Sequence, residues 1–292
     1  MSIIVLGKEI LMLIKSLSDN ISLNEKFLHE HGLSIYIEIN NIKVLFDTGA
    51  SSIFSNNALK LNIKLKDVDY LIISHGHYDH GGGLNTFLNI NTKAKIFFQK
   101  NAFNDFYSSQ ENNTTKYIGL DKSLINNDRL ILIDNEFKIN EYLMLFSKVS
   151  EKKLYPSGNK HLFVFKNSEL IEDDFLHEQY LIIQERDKVV LISGCSHKGI
   201  INIINECINT YNLKIDYVIG GFHLYSNSKS ISEDISIIEE YASELLKNDI
   251  VYYTCHCTGD KAFQILKKKM GSKIKYLSSG MEIKLLCFIF LI

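Results

Sequence analysis

Apolar residues in this chain come in short runs, each stopped by glycine, asparagine, aspartate or histidine before it grows long. Runs of that length, rich in Ile, Val, Leu, Phe and Tyr, predict strands. They cover Ser34 to Ile39, Lys43 to Phe46, Val68 to Ile73, Lys95 to Gln99, Tyr180 to Gln184, Lys188 to Ser193, Asp216 to Ile219, Ile250 to Thr254 and a last stretch from Ile283. Asn40-Asn41 supplies a hairpin turn between the first two. Helical spacing is predicted over 52–61, Gly83 to Asn89, Gly199 to Tyr211, Ile231 to Lys247 and Asp260 to Lys269. Strands mixed with helices in both halves imply two packed sheets with helices outside, an α/β or α+β sandwich. The polar stretch from about 100 to 160 is read as containing a surface insertion or lid over the site and as supplying the pocket walls; the pattern does not place its elements.

The chain has 292 residues, of which 46% are apolar and 23% charged, with a net charge of -2. That balance is ordinary for a globular protein and gives no basic footprint, so a nucleic acid is not expected as partner. Five cysteines with no small-scaffold spacing favour free thiols and a reducing compartment, so the expected location is cytoplasmic. No stretch is long and apolar enough for a transmembrane segment. Leu285 to Ile292 reads as a final buried strand, with an oligomer contact, hence a homo-oligomer, as the alternative.

The candidate chemistry starts at Ser74-His75-Gly76-His77-Tyr78-Asp79-His80-Gly81-Gly82-Gly83, directly after the apolar run 68–73. Imidazoles and carboxylates suit zinc and similar divalent metals. Four such groups in six residues are too many for one tetrahedral ion held by a short loop. They make sense shared, with His75 and His77 on one metal and Asp79 and His80 on a second. The glycines are read as letting the backbone pass close to an ion and start a helix.

Three further histidines end apolar strands, where sheets usually present their sites: His197, His223 and His256. His197 and His256 are expected as ligands; His223 is open between ligand and another role. Cys195 and Cys255 are thiols beside these histidines, read first as small buried residues and second as ligands; Cys207 and Cys287 are read as core. Asp47, in Asp47-Thr48-Gly49, is expected beneath the metal loop, hydrogen-bonded to its backbone or to a ligand imidazole, rather than acting as half of an aspartic protease pair. His29 and His31 read as surface or structural residues, with the rim of the site as the alternative for Glu30 and His31.

Taken together, Asn20, Glu30-His31-Gly32-Leu33-Ser34, Leu45-Phe46-Asp47-Thr48-Gly49, Ser74 to Leu84, Gly194-Cys195-Ser196-His197, Gly220-Gly221-Phe222-His223-Leu224 and His256-Cys257-Thr258-Gly259 resemble the metallo-β-lactamase-fold hydrolases. The match is to the branch of metal-dependent hydrolases in which some members carry the label of a dihydropterin–ribofuranosylaminobenzene phosphate synthase. The resemblance implies a four-layer αββα sandwich with the metals at one edge, between the sheets. It implies His75 and His77 on the first metal, Asp79 and His80 on the second, and His197 and His256 as further ligands. It also implies one domain over 12–292, with 1–11 as an extension. One departure stands out. Most relatives place a bridging aspartate where this chain has Gly194-Cys195, so the bridge is Cys195, absent, or replaced by His197. The mid-chain histidine ligand corresponds to His177 or Glu178.

The function expected from this set is hydrolysis of an ester-like or phosphodiester bond in a small-molecule substrate, a phosphorylated one among the candidates. Two divalent ions, zinc first and manganese or iron as alternatives, would activate water. Asp79 and His223 are placed at the reacting atoms, His223 as proton donor or anion binder if it is not a ligand. The competing readings are a di-iron redox or oxygen-handling protein on the same fold and a non-catalytic metabolite sensor that keeps the metal.

Overall fold

Along the strand Ile42–Phe46, Val44 and Phe46 face one way and Leu45 the other, and this alternation sorts the whole core into layers. The structure is a computed structural model and describes residues 4–112 and 114–291. Val44, Phe46, Ile72 and Phe97 meet Leu145, Ile183, Val190 and Ile192 in an apolar layer between two sheets. On the other face of the first sheet, Leu45, Leu71, Ile96 and Phe98 pack on the helices Ile53–Lys60 and Leu84–Ile90. On the far face of the second, Leu191, Val218 and Tyr252 pack on the helices Ile200–Tyr211, Ile235–Leu245 and Asp260–Met270. The result is helix, sheet, sheet, helix: the αββα sandwich.

The first sheet runs in the order Glu282–Leu291, Ile4–Ser18, Ser34–Ile39, Ile42–Phe46, Tyr70–Ile72, Lys95–Gln99, Leu130–Ile133. The second runs Ile274–Tyr276, Val251–Thr254, Tyr217–Gly220, Lys188–Ile192, Tyr180–Glu185, Leu143–Phe146, Glu136–Lys138. Each has an antiparallel part and a parallel part. The parallel strands, Ile42–Phe46 through Leu130–Ile133 and Lys188–Ile192 through Ile274–Tyr276, are joined by crossovers that supply the covering helices.

Some details go beyond or differ from the sequence expectations. Within 100–160, Leu130–Ile133 is an edge strand of the first sheet and Glu136–Lys138 and Leu143–Phe146 belong to the second. Beyond the sandwich lies a separate four-stranded sheet, Glu169–Glu172, Leu162–Lys166, Asp105–Ser109, Thr115–Tyr117, which runs past position 160. The helix expected from Ile231 starts at Ile235, since Ile231–Ser232 pairs with Tyr225–Ser226 as a small hairpin. Residues 4–10 continue the first strand and pair only with the C-terminal strand, Ile4 opposite Leu291 and Ile10 opposite Leu286. The side chain of Cys287 lies outside the described residues. Among the described residues no helix is long and apolar enough to cross a membrane.

Candidate metal centre

The candidate residues leave the carboxyl ends of parallel strands at one edge of the sandwich. Asp47 follows Ile42–Phe46 and His75 to His80 follow Tyr70–Ile72; Cys195 and His197 follow Lys188–Ile192, His223 follows Tyr217–Gly220, and His256 follows Val251–Thr254. Four of these turns place a non-glycine residue in the left-handed region: Asp47 at φ 61°, Ser196 at 59°, His223 at 48° and His256 at 50°. Such residues cost of order 1–3 kcal/mol each and persist where surrounding contacts fix them. Here the contacts include Asp47 N–H donating to the Ile72 carbonyl (2.8 Å), His256 N–H to Asp19 Oδ1 (2.7 Å) and His223 N–H to Cys257 Sγ (3.3 Å).

Each key imidazole is held by one nitrogen and turns the other inward. His80 Nδ1–H donates to Asp47 Oδ2 (2.6 Å), His197 Nδ1–H to Asn159 Oδ1 (3.0 Å), and His256 Nδ1–H to Asn20 Oδ1 (2.8 Å). Ser74 Oγ accepts from His75 Nδ1–H (2.9 Å) while donating to Asp47 Oδ2 (2.7 Å). The His197 ring is also stacked on Phe175 at 4.4 Å. With His75 and His197 held this way, their Nε2 atoms and that of His77 are buried with no hydrogen-bond partner. An unsatisfied buried polar atom costs about 1–3 kcal/mol. Three at one spot are a cost the fold would not carry without a ligand for them, and inward lone pairs fixed through Nδ1 are what metal-binding imidazoles present.

The donors converge. His75, Cys195 and His197 bring ligand atoms within 4.8 Å of one another, and so do His80, Cys195 and His256. The His77 ring lies 4.6 Å from His75 and 5.1 Å from His197. Asp79 Oδ2 lies 3.2 Å from His256 Nε2 and 3.8 Å from His80 Nε2. His75, His77 and His197 therefore form one group and Asp79, His80 and His256 a second, with Cys195 common to both. Its sulfur is 3.2 Å from His80 Nε2. Nitrogen, carboxylate and sulfur donors in this arrangement fit zinc-type divalent ions.

Other expected residues lie elsewhere. Both Glu178 oxygens face backbone, Oε1 accepting from His197 N–H (2.8 Å) and Oε2 from Lys198 N–H (3.0 Å) and the Tyr180 hydroxyl (2.6 Å). His177 accepts from Gly76 N–H at Nδ1 (2.9 Å) and donates from Nε2 to Asp173 (3.0 Å), so it braces the metal loop from behind. Glu30 accepts from the N–H groups of Ala50 and Ser51, away from the histidines. His31 does enter the centre, with Nε2 3.3 Å from Asp79 Oδ2 and its ring 4.8 Å from that of His256. The glycines after His80 serve packing instead of ion approach: a Cβ on Gly82 would lie 2.3 Å from the Ala50 carbonyl oxygen, and one on Gly83 2.4 Å from that of Thr48. Asn159 and Asp173 went unnoticed in the sequence, where each lies in a polar stretch that no apolar strand end singles out.

Burial, with the neighbouring imidazoles, pushes His75 and His197 well below the ordinary histidine range and His77 down to about 3; burial takes His31 down to about 4. These rings are neutral and keep their lone pairs. Burial opposes the charge of Asp79, yet His80 and His256 hold it well below the usual carboxylate range. Burial likewise opposes a charged His256, but its bond to Asp79 raises it to about 9. Metal binding must break this ion pair and release the proton. Burial drives the Cys195 thiol well up. Cys257 goes the other way: against burial, contacts with Cys195 and His223 and the His256 charge hold it well down.

The donors open onto a cavity of about 610 Å³. Ser108, Gln110, Asn112 and Lys116 of the small sheet form one wall and Tyr225 to Ser228 with Ser230 another. Lys229 Nζ donates to the Gln110 carbonyl and ties the two walls together. The 100–160 stretch, expected to supply the pocket walls, thus shares that role with the 225–230 hairpin.

The family model described as the metallo-beta-lactamase superfamily matches residues 29–139. An uncharacterized protein of Methanocaldococcus jannaschii, MJ0448, is 33% identical over 261 residues, 88% of this chain and 94% of its own. A second protein of that organism, named 7,8-dihydropterin-6-methyl-4-(beta-D-ribofuranosyl)-aminobenzene-5'-phosphate synthase, is 30% identical over 281 residues, 89% of this chain and 92% of its own. Among solved structures, Tm1679, described as a metal-dependent hydrolase of the beta-lactamase superfamily, superposes with a TM-score of 0.78 at 34% identity, covering 94% of this chain and 99% of its own. With the αββα fold and the His75 to His80 loop at the sheet edge, these likenesses place the chain in the metallo-β-lactamase superfamily.

Proposed function

We propose that the protein is a binuclear metal-dependent hydrolase acting on an ester-like or phosphodiester bond of a small molecule. The observation that carries this reading is the convergence of His75 and His197, with the His77 ring beside them, on one side of Cys195 and of Asp79, His80 and His256 on the other, with the Nε2 atoms of His75, His77 and His197 unsatisfied. Divalent ions held there would supply Lewis-acid charge and make water acidic enough to attack near neutral pH. The chain's own part is to fix the ligands and seat the substrate. Asp47 and Asn159 lock the His80 and His197 rings and raise their basicity as ligands. Asp79 faces the cavity and the reacting atoms. Cys195 stands where most relatives have a bridging carboxylate, and a sulfur there favours zinc over manganese.

A phosphorylated substrate is supported by Lys116 and the serine and amide groups on the cavity wall, and by the name of the synthase relative. That name also keeps a synthase-type reaction on a phosphorylated substrate as the second reading. Buried free thiols at Cys195, Cys207, Cys255 and Cys257 support a reducing, cytoplasmic location.

The test uses zinc-loaded protein with an aryl phosphodiester and an aryl ester. His77→Ala and His80→Ala are expected to retain the far-UV circular dichroism of the parent while losing metal and turnover. Full turnover in either variant overturns the reading.

A further inference from the structure

One cluster beside the metal centre shares Cys195 with it and adds two residues, Cys257 and His223, that the hydrolase reading does not use as ligands. Cys257 Sγ, Cys195 Sγ and a His223 ring nitrogen lie within 4.8 Å of one another, and all three residues are buried. Neither His223 ring nitrogen has a hydrogen-bond partner, although the residue is only 8% exposed. An imidazole with both nitrogens unsatisfied beside two thiols lacks the partner its chemistry calls for. The backbone is shaped to hold it there. His223 sits at φ 48° and its N–H donates to Cys257 Sγ (3.3 Å), while Phe222 N–H donates to Thr258 Oγ1 (2.9 Å), stitching the two strand-end loops together. A Cβ on Gly221 would lie 2.4 Å from Cys257 Sγ, so the approach of this sulfur depends on a glycine. All three residues line the cavity, so an ion has a route in.

We propose that Cys257 and His223, with Cys195, form a soft-cation corner of the cleft that takes one ion of the zinc or cadmium class. Two sulfurs and one imidazole select soft and borderline cations over manganese or magnesium, which prefer oxygen. The corner is joined to the histidine centre through Cys195, and its occupation does not require that the protein be a hydrolase. His223, open in the sequence between ligand and proton donor, is on this geometry a ligand.

The experiment is a cadmium titration of the full chain after chelator treatment, read by thiolate-to-cadmium ultraviolet absorption and by bound metal per chain. Cys257→Ser is expected to lose about half of the sulfur-to-metal absorption and one bound ion per chain, and His223→Ala to bind that ion at least tenfold more weakly. Unchanged absorption and stoichiometry in Cys257→Ser overturn the proposal. A second measurement needs no variant: alkylation of Cys257 in the native protein, located by mass spectrometry. Cadmium should slow it at least tenfold and manganese should not; equal rates with and without cadmium, or equal protection by manganese, overturn the proposal. Neither readout uses turnover, so failure here and failure of the hydrolase reading are separate results.

Discussion

At the residue scale the centre depends on Asp47. Its carboxylate accepts from Ser74 N–H (2.7 Å), from the Ser74 hydroxyl (2.7 Å) and from His80 Nδ1–H (2.6 Å), with no exposure to solvent. The first two bonds fix the start of the metal loop and the third fixes a ligand ring and makes it a better donor. Asp47→Asn keeps the volume but replaces a charged acceptor with an amide. The expected result is a 10–100-fold loss of metal affinity, the usual cost of removing such a support, measured by competition with a chromogenic chelator. Unchanged affinity would show that Asp47 only holds the loop. This residue was legible because an apolar strand ended in Asp-Thr-Gly and nothing else explained the acid. Glu178 entered as a candidate ligand only through the family resemblance, as an alternative to His177, and the fold shows that its two oxygens cap the backbone at His197 and Lys198. His31 was legible only as a candidate for the rim of the site and Asn159 not at all, since their roles come from chain crossings that local pattern does not encode.

At the element scale, the short helix Tyr78–Gly81 and the helix Leu84–Ile90 meet the 47–51 loop across Gly82 and Gly83. Gly82 has φ −63°, which alanine adopts freely, so its replacement tests space alone. With backbone of Ala50 and Tyr78 at 2.3–2.7 Å from the added carbon, nothing flexible can yield. Gly82→Ala is therefore expected to destabilise the fold by about 1–3 kcal/mol, seen as a lower melting temperature in chelator as well as in zinc. An unchanged melt in chelator would return these glycines to the role of ion approach. The parallel strands were the most legible elements because burial on both faces gives them continuous apolar runs ending at site residues. The elements of 100–160 were hidden for the opposite reason. Glu136–Lys138 is an edge strand and Thr115–Tyr117 is exposed throughout, so their composition follows solvent rather than a core, while Leu130–Ile133, apolar throughout, is only a four-residue run inside a polar stretch. Ile231 misled in the same way: it is 54% exposed in a hairpin, but its spacing from Ile235 and Ile238 reads as helical.

At the scale of the whole molecule, the two sheets bring their ligands to one edge from opposite sides of the apolar layer. His75, His77, Asp79 and His80 come from the first sheet; Cys195, His197 and His256 come from the second. Ions gripped by both groups tie the halves together, and the unfolded chain does not offer this geometry. Binding free energy is then folding stability: at a free ion concentration 100 times the dissociation constant it adds about 2.7 kcal/mol. For a chain of this size that corresponds to a rise of about 4 °C in melting temperature. Zinc-loaded protein is expected to melt that much higher than the same protein in chelator. In His256→Ala, which removes a candidate ligand from the second sheet, most of that difference should vanish, and the melt in chelator should itself fall because Asp79 loses its buried partner. A parent protein that melts at one temperature in zinc and in chelator would mean that the imidazoles gathered at the sheet edge grip nothing across the sandwich.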